Sequence, residues 1–118
     1  MSRTKKDISV IGRTPEEVKK AVQNWFSENK IKAIESNANS MKGRWGTGFV
    51  TAAKYFQVSF IPIEGGVLAQ TEGWVSIYGI NEQDFDPSTM FAGGIPRKEG
   101  WKTMERLWST LESLSVKP

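Results

Sequence analysis

The chain contains no cysteine and no histidine. Without cysteine there are no disulfides, no thiolate nucleophile and no Cys-based zinc site. Without histidine there is no Ser-His-Asp triad and no side chain that titrates near neutrality in its ordinary state. Catalysis would fall to Asp, Glu, Lys, Tyr or a hydroxyl in a strongly shifted environment. No paired-carboxylate motif calls for such a reading. The sequence leans away from an enzyme, with no catalytic residue, no metal ligand and no cofactor assigned. Long apolar runs are also missing: none approaches the ~18 residues of a membrane helix. Met-Ser-Arg-Thr-Lys-Lys-Asp at the start is not followed by an apolar stretch and does not read as a secretory signal. Residues 1–6 read as a mobile basic tail, and the cytoplasm is the expected location.

A length of 118 residues predicts one domain over 1–118. A chain of this size buries roughly two-thirds of its unfolded surface. The net charge is +3, unevenly placed. Residues 1–54 carry 11 Lys/Arg against 5 Asp/Glu, and residues 55–118 carry 5 against 8. A basic half can mark an anionic partner, or a tail and a solvated helix face.

Asp7-Ile-Ser-Val-Ile-Gly12 alternates Ile8 and Val10 and predicts a short strand. Thr14-Pro15-Glu16-Glu17 is a helix start: Thr14 caps, Pro15 suits the first turn, and Glu17 completes a capping box. Val18, Ala21, Val22, Trp25 and Phe26 then share one face, and the helix should stop near Asn29-Lys30. Ile31–Glu35 and Ser40–Trp45 read as strands around the turn 36–39. In the second of these, Met41 and Trp45 lie opposite Lys42 and Arg44. Gly46-Thr47-Gly48 breaks that strand. Asp86-Pro87-Ser88 reads as the cap of a brief helix. A final helix of about Arg97–Ser115 carries Trp101, Met104, Leu107, Trp108, Leu111 and Leu114 on one face; Gly100 argues for a later start.

The longest signal is a hairpin from Lys54 to Gly79, folded at Gly65-Gly66. Alternation across a strand defines its two faces. A two-residue Gly65-Gly66 loop pairs Glu64 with Val67. Phe60 then faces Thr71, Val58 faces Gly73 and Phe56 faces Val75 on the buried side. Tyr55, Gln57, Trp74 and Tyr78 point away. A three-residue loop slips the pairing by one, which exchanges a strand's faces and buries Trp74 beside Phe56.

These elements predict an α+β fold: an antiparallel sheet of about five strands in β-α-β4-α order, both helices on one face. This order resembles the unit found in TATA-binding-protein-like halves and, with an insertion, in helix-grip proteins of the START and Bet v 1 type. Pro62-Ile63-Glu64-Gly65-Gly66-Val67 between two long strands resembles the central hairpin of helix-grip proteins. The resemblance covers nearly the whole chain, through element order and one turn, and carries over no functional residue. The strands and helix turns that give the large helix-grip members a roomy cavity are absent, so an apolar pocket here would be small.

Three functions follow as expectations. The first is a non-enzymatic binding module holding a small apolar ligand between sheet and C-terminal helix, with Met104, Trp108, Phe56 and Val58 as pocket residues. The second is nucleic-acid binding on the uncovered sheet face through Lys42, Arg44, Tyr55, Gln57, Trp74 and Tyr78, where aromatics stack bases and cations hold phosphates. The third is a homodimer joined on that same face. Three other stretches could offer phosphate or cation sites: the glycine-rich segment 42–48, Gly93-Gly94 ahead of Arg97, and the alternating Glu82, Asp84 and Asp86. Bends, a loop and a helix cap explain them more simply.

Overall fold

Thr14 opens the first helix as its neighbours predict. Its hydroxyl accepts a hydrogen bond from the Glu17 amide (3.2 Å), and the Glu17 carboxylate accepts one from the Thr14 amide (2.9 Å). That backbone donor chiefly holds the Glu17 carboxyl below its ordinary pKa of 4.5. Helix α1 (Pro15–Glu28) buries Val18, Val22, Trp25 and Phe26. It ends at Asn29 and at Lys30, whose φ of 57° breaks the helical path.

The computed structural model describes residues 3–45, 53–77, 81–85 and 94–116, with the side chains of 77, 81–83 and 94–97 left aside. Around α1 stand β1 (Thr4–Ile11), β2 (Lys32–Ser36), β3 (Ser40–Trp45), β4 (Ala53–Ile63), β5 (Gly66–Ile77) and β6 (Asn81–Gln83), followed by α2 (Gly94–Leu114). The expected β-α-β4-α order is present, with the three-residue β6 added before α2. The antiparallel sheet runs β1-β5-β4-β3-β2. Beyond the start of β1 at Thr4, β6 takes up the same edge of β5, pairing Val75–Ile77. Ile8, Val10, Met41, Phe56, Val58, Phe60, Val67, Ala69 and Val75 point to one sheet face and form a single core with both helices. The expected brief helix at Asp86-Pro87-Ser88 lies outside the described residues, as do Gly46-Thr47-Gly48, Tyr78 and Gly93.

Three details correct the sequence reading. Residues 4–6 are not a tail: Thr4, Lys5 and Lys6 pair with Gly73, Glu72 and Thr71 as part of β1. The two lysines are exposed and paired, Lys5 with Glu72 at 3.4 Å and Lys6 with Glu112 of α2 at 3.5 Å, so a basic sequence suits this edge. The final helix starts earlier than expected, at Gly94, and Gly100 lies inside it. The hairpin turn sits one residue earlier, at Glu64-Gly65, so Ile63 pairs with Gly66, Phe60 with Ala69, Val58 with Thr71 and Phe56 with Gly73. Every pair is displaced by two from the expected register. An even displacement preserves the faces, and Phe56, Val58 and Phe60 are buried as expected. The two glycines have different jobs. Gly65 takes φ +79°, a conformation costly for other residues. Gly66 already belongs to β5, where β1 passes so close that a Cβ would lie 2.1 Å from the Val10 carbonyl oxygen.

Candidate functional site

Lys54 occupies a core-facing position of β4, in phase with Phe56, Val58 and Phe60, and is 3% exposed. Burying an ammonium is costly unless charge and hydrogen bonding compensate it. Here the Glu99 carboxylate of α2 lies 3.2 Å from Nζ. The Trp45 ring supplies a second contact, with Nζ 3.6 Å from its centroid. Burial nevertheless pushes the Lys54 pKa down from its ordinary 10.5, with Glu99 pushing back.

This ammonium opens into a cleft of about 330 Å³. Its walls come from three directions. The end of α1 and the following link contribute Glu28, Asn29, Lys30 and Ile31. The sheet contributes Trp45, Lys54 and Phe56. The first half of α2 contributes Glu99, Lys102, Thr103 and Arg106. Arg106 donates to the Asn29 side-chain oxygen at 3.4 Å and ties the two helices at the mouth. Behind the cleft, Phe56 meets Trp25 edge-on, with centroids 5.4 Å apart.

Of the expected pocket residues, Phe56 lines this cleft; Met104, Val58 and Trp108 do not. Met104 and Val58 are fully buried core side chains. The Trp108 indole donates to the Thr71 hydroxyl (2.9 Å), which donates to the Lys6 carbonyl (2.6 Å). The space beside Met104 is filled: a Cβ on Gly73 would sit 3.0 Å from its sulfur and 2.5 Å from the Phe85 ring. The opening lies further toward the start of α2.

The open-face candidates among the described residues come together. Tyr55 and Trp74 pair across β4 and β5 and stack, with centroids 5.4 Å apart and planes 9° apart. Trp74 points away from the core, as the two-residue loop implies, yet it is only 3% exposed. From the flank opposite Tyr55, the Arg3 guanidinium lies 3.7 Å from its ring centroid. Lys42 approaches both rings, at 5.8 Å from Tyr55 and 5.4 Å from Trp74. Gln57 pairs with Lys42 and Arg44 with Tyr55 along β3 and β4. Gly43 is no phosphate cradle, because a Cβ there would lie 2.5 Å from Ile31 and 2.6 Å from Phe26.

Sequence reasoning missed Lys54 and Glu99. The signal was there for Lys54: it is two residues before Phe56 and therefore shares its face. Glu99 carried none, since only packing brings α2 over this end of β4.

Among known proteins, no protein family and no curated protein matches the chain. Among solved structures, the chain is similar to the crystal structure of TTHA0849 from Thermus thermophilus. That likeness has 11% identity, covers 96% of each chain and has a TM-score of 0.45. Among the described residues, no helix is long and apolar enough to cross a membrane.

Proposed function

We propose that the chain is a small-molecule-binding module whose ligand lies between the sheet and the first half of α2. The observation that carries this reading is Lys54, a buried ammonium on the core face of β4 that lines a cleft together with Trp45 and Phe56. Structural cores seldom keep such a charge, and perturbed titratable groups in clefts cluster at functional sites. The volume falls at the lower end of the ~300–1,000 Å³ typical of ligand pockets, which suits a ligand of one or two rings. The resemblance to helix-grip proteins supports the same reading, since their cavity also lies between sheet and C-terminal helix.

The open-face readings have less behind them. Trp74 is flanked by Tyr55 and Arg3, so a base stacking on Trp74 would have to displace one of them.

The test is a screen of bicyclic aromatic fragments followed by amide and indole NMR shifts. Saturable shifts centred on the Trp45 indole and on the Lys54, Phe56 and Thr103 amides are expected. A screen without a binder, or one whose shifts centre on Trp74, refutes the reading.

A further inference from the structure

The sign of the ligand's charge can be read from an asymmetry in the Lys54–Glu99 pair, given that the cleft is a ligand site as proposed above. The Lys54 side chain is 4% exposed, whereas the Glu99 side chain is 52% exposed. Glu99 can turn into water at small cost. Lys54 cannot follow, because it projects from the core face of β4 with its ammonium on the ring of Trp45, its neighbour across the sheet. A buried ammonium that loses its carboxylate must receive another anion or leave an uncompensated charge in the interior. We infer that the ligand is an organic acid, a carboxylate on a flat apolar body, and that its carboxylate takes the place of Glu99 beside the Lys54 ammonium while its body lies on Trp45 and Phe56.

The rim agrees with that sign. Lys30, Lys102 and Arg106 stand at the opening with Lys54 below, against Glu28 and Glu99. Once Glu99 has swung outward, the floor of the cleft is positive. A cleft of one sign between low-dielectric walls concentrates the opposite ion. A carboxylate also matches the donor count better than a phosphate dianion. Lys54 is the one buried cation among the described lining residues; Lys30, Lys102 and Arg106 all reach solvent.

The experiment compares 2-naphthoate with its neutral isostere 2-naphthamide, by calorimetry on the full chain, in wild type, Lys54→Met and Glu99→Gln. A hydrogen bond to a buried charge predicts roughly ten- to a hundredfold tighter binding of the naphthoate to wild type. Lys54→Met should erase that preference while still binding naphthamide. Glu99→Gln, which leaves the Lys54 ammonium without its carboxylate and so lowers stability in the absence of ligand, should tighten naphthoate because the competing internal anion is gone. Equal affinity for the two probes in wild type overturns the inference and leaves the cleft as a site for neutral ligands. So does a preference that survives Lys54→Met, or a naphthoate affinity unchanged or weakened by Glu99→Gln. Failure of both probes to bind wild type overturns the inference together with the binding function on which it rests.

Discussion

Gly100→Ala pits helix propensity against packing, and the structure decides the sign. Gly100 lies in the interior of α2, where alanine is normally better by about 1 kcal/mol. Here an added Cβ would lie 2.3 Å from two carbons of the Phe85 ring and 2.7 Å from a third. The ring cannot retreat. Its other edge faces Gly73, where a Cβ would lie 2.5 Å away, and Phe56 packs at 5.6 Å between centroids. Phe85 is fully buried. Overpacking a confined core position costs typically ~1–3 kcal/mol, and a ring wedged between two glycines belongs at the upper end. Gly100→Ala should therefore destabilise the protein by about 2 kcal/mol, after the ~1 kcal/mol propensity gain is deducted. That corresponds to a fall in Tm of about 8 °C at this chain length. Urea denaturation measures it, and a double-mutant cycle with Phe85→Ala isolates the cause. Phe85→Ala alone costs roughly 3–5 kcal/mol, so the cycle is run in sucrose, which raises the stability of every variant. In the Phe85→Ala background, Gly100→Ala should turn stabilising. Stabilisation of the wild type by Gly100→Ala, or an equal effect with and without the ring, would show that Phe85 does not confine this position.

Two further outcomes follow from the hairpin and the buried lysine. Gly65→Ala should cost about 1–2 kcal/mol for the left-handed backbone, and Gly66→Ala distinctly more, because it collides with the β1 backbone rather than straining a torsion; the reverse order in urea midpoints would put the turn at Gly65-Gly66 after all. The folded pKa of Lys54 lies below the 10.5 expected of an exposed lysine, so between those two values the unfolded chain binds more protons and stability should rise with pH. The Lys54→Met variant should lose this alkaline rise and, because Glu99 remains half in water, should be as stable as wild type or more so at neutral pH. A rise that persists in Lys54→Met assigns it to another group.

Local chemistry was legible where neighbours in sequence are neighbours in space. The Thr14-Pro15-Glu17 box could be read directly because all its partners lie within one turn. Ser40–Trp45 was bounded by its own turn, where Asn37 Oδ1 accepts from the Asn39 and Ser40 amides at 2.8 and 3.0 Å. Lys5 and Lys6 misled for the opposite reason. Charge suggested a tail, and only the distant partners Glu72 and Thr71 make them a strand. The candidate site was less legible still. Lys54 reads as surface in any composition-based view, and its significance comes from Glu99, far away in the chain and 3.2 Å away in space.

By itself the sequence determined which side chains lie on which side of the sheet. Period-two alternation through Phe56, Val58 and Phe60 survives any register change of two, so the faces came out correctly although the turn was misplaced by one residue. It likewise excluded the chemistry of thiols and imidazoles, for want of the atoms. Tertiary structure alone decided what covers each face. Arg3 reaches Trp74 because β1 lies beside β5, and Phe85 fills the gap between Gly73 and Gly100. The cleft opens at Lys54 rather than beside Met104, because Phe85 and Met104 fill the space over Gly73 whereas the end of α1 and the link after it form a wall of the cleft. Such contacts depend on the volumes and approach of elements far apart in sequence, which no local pattern of residues encodes.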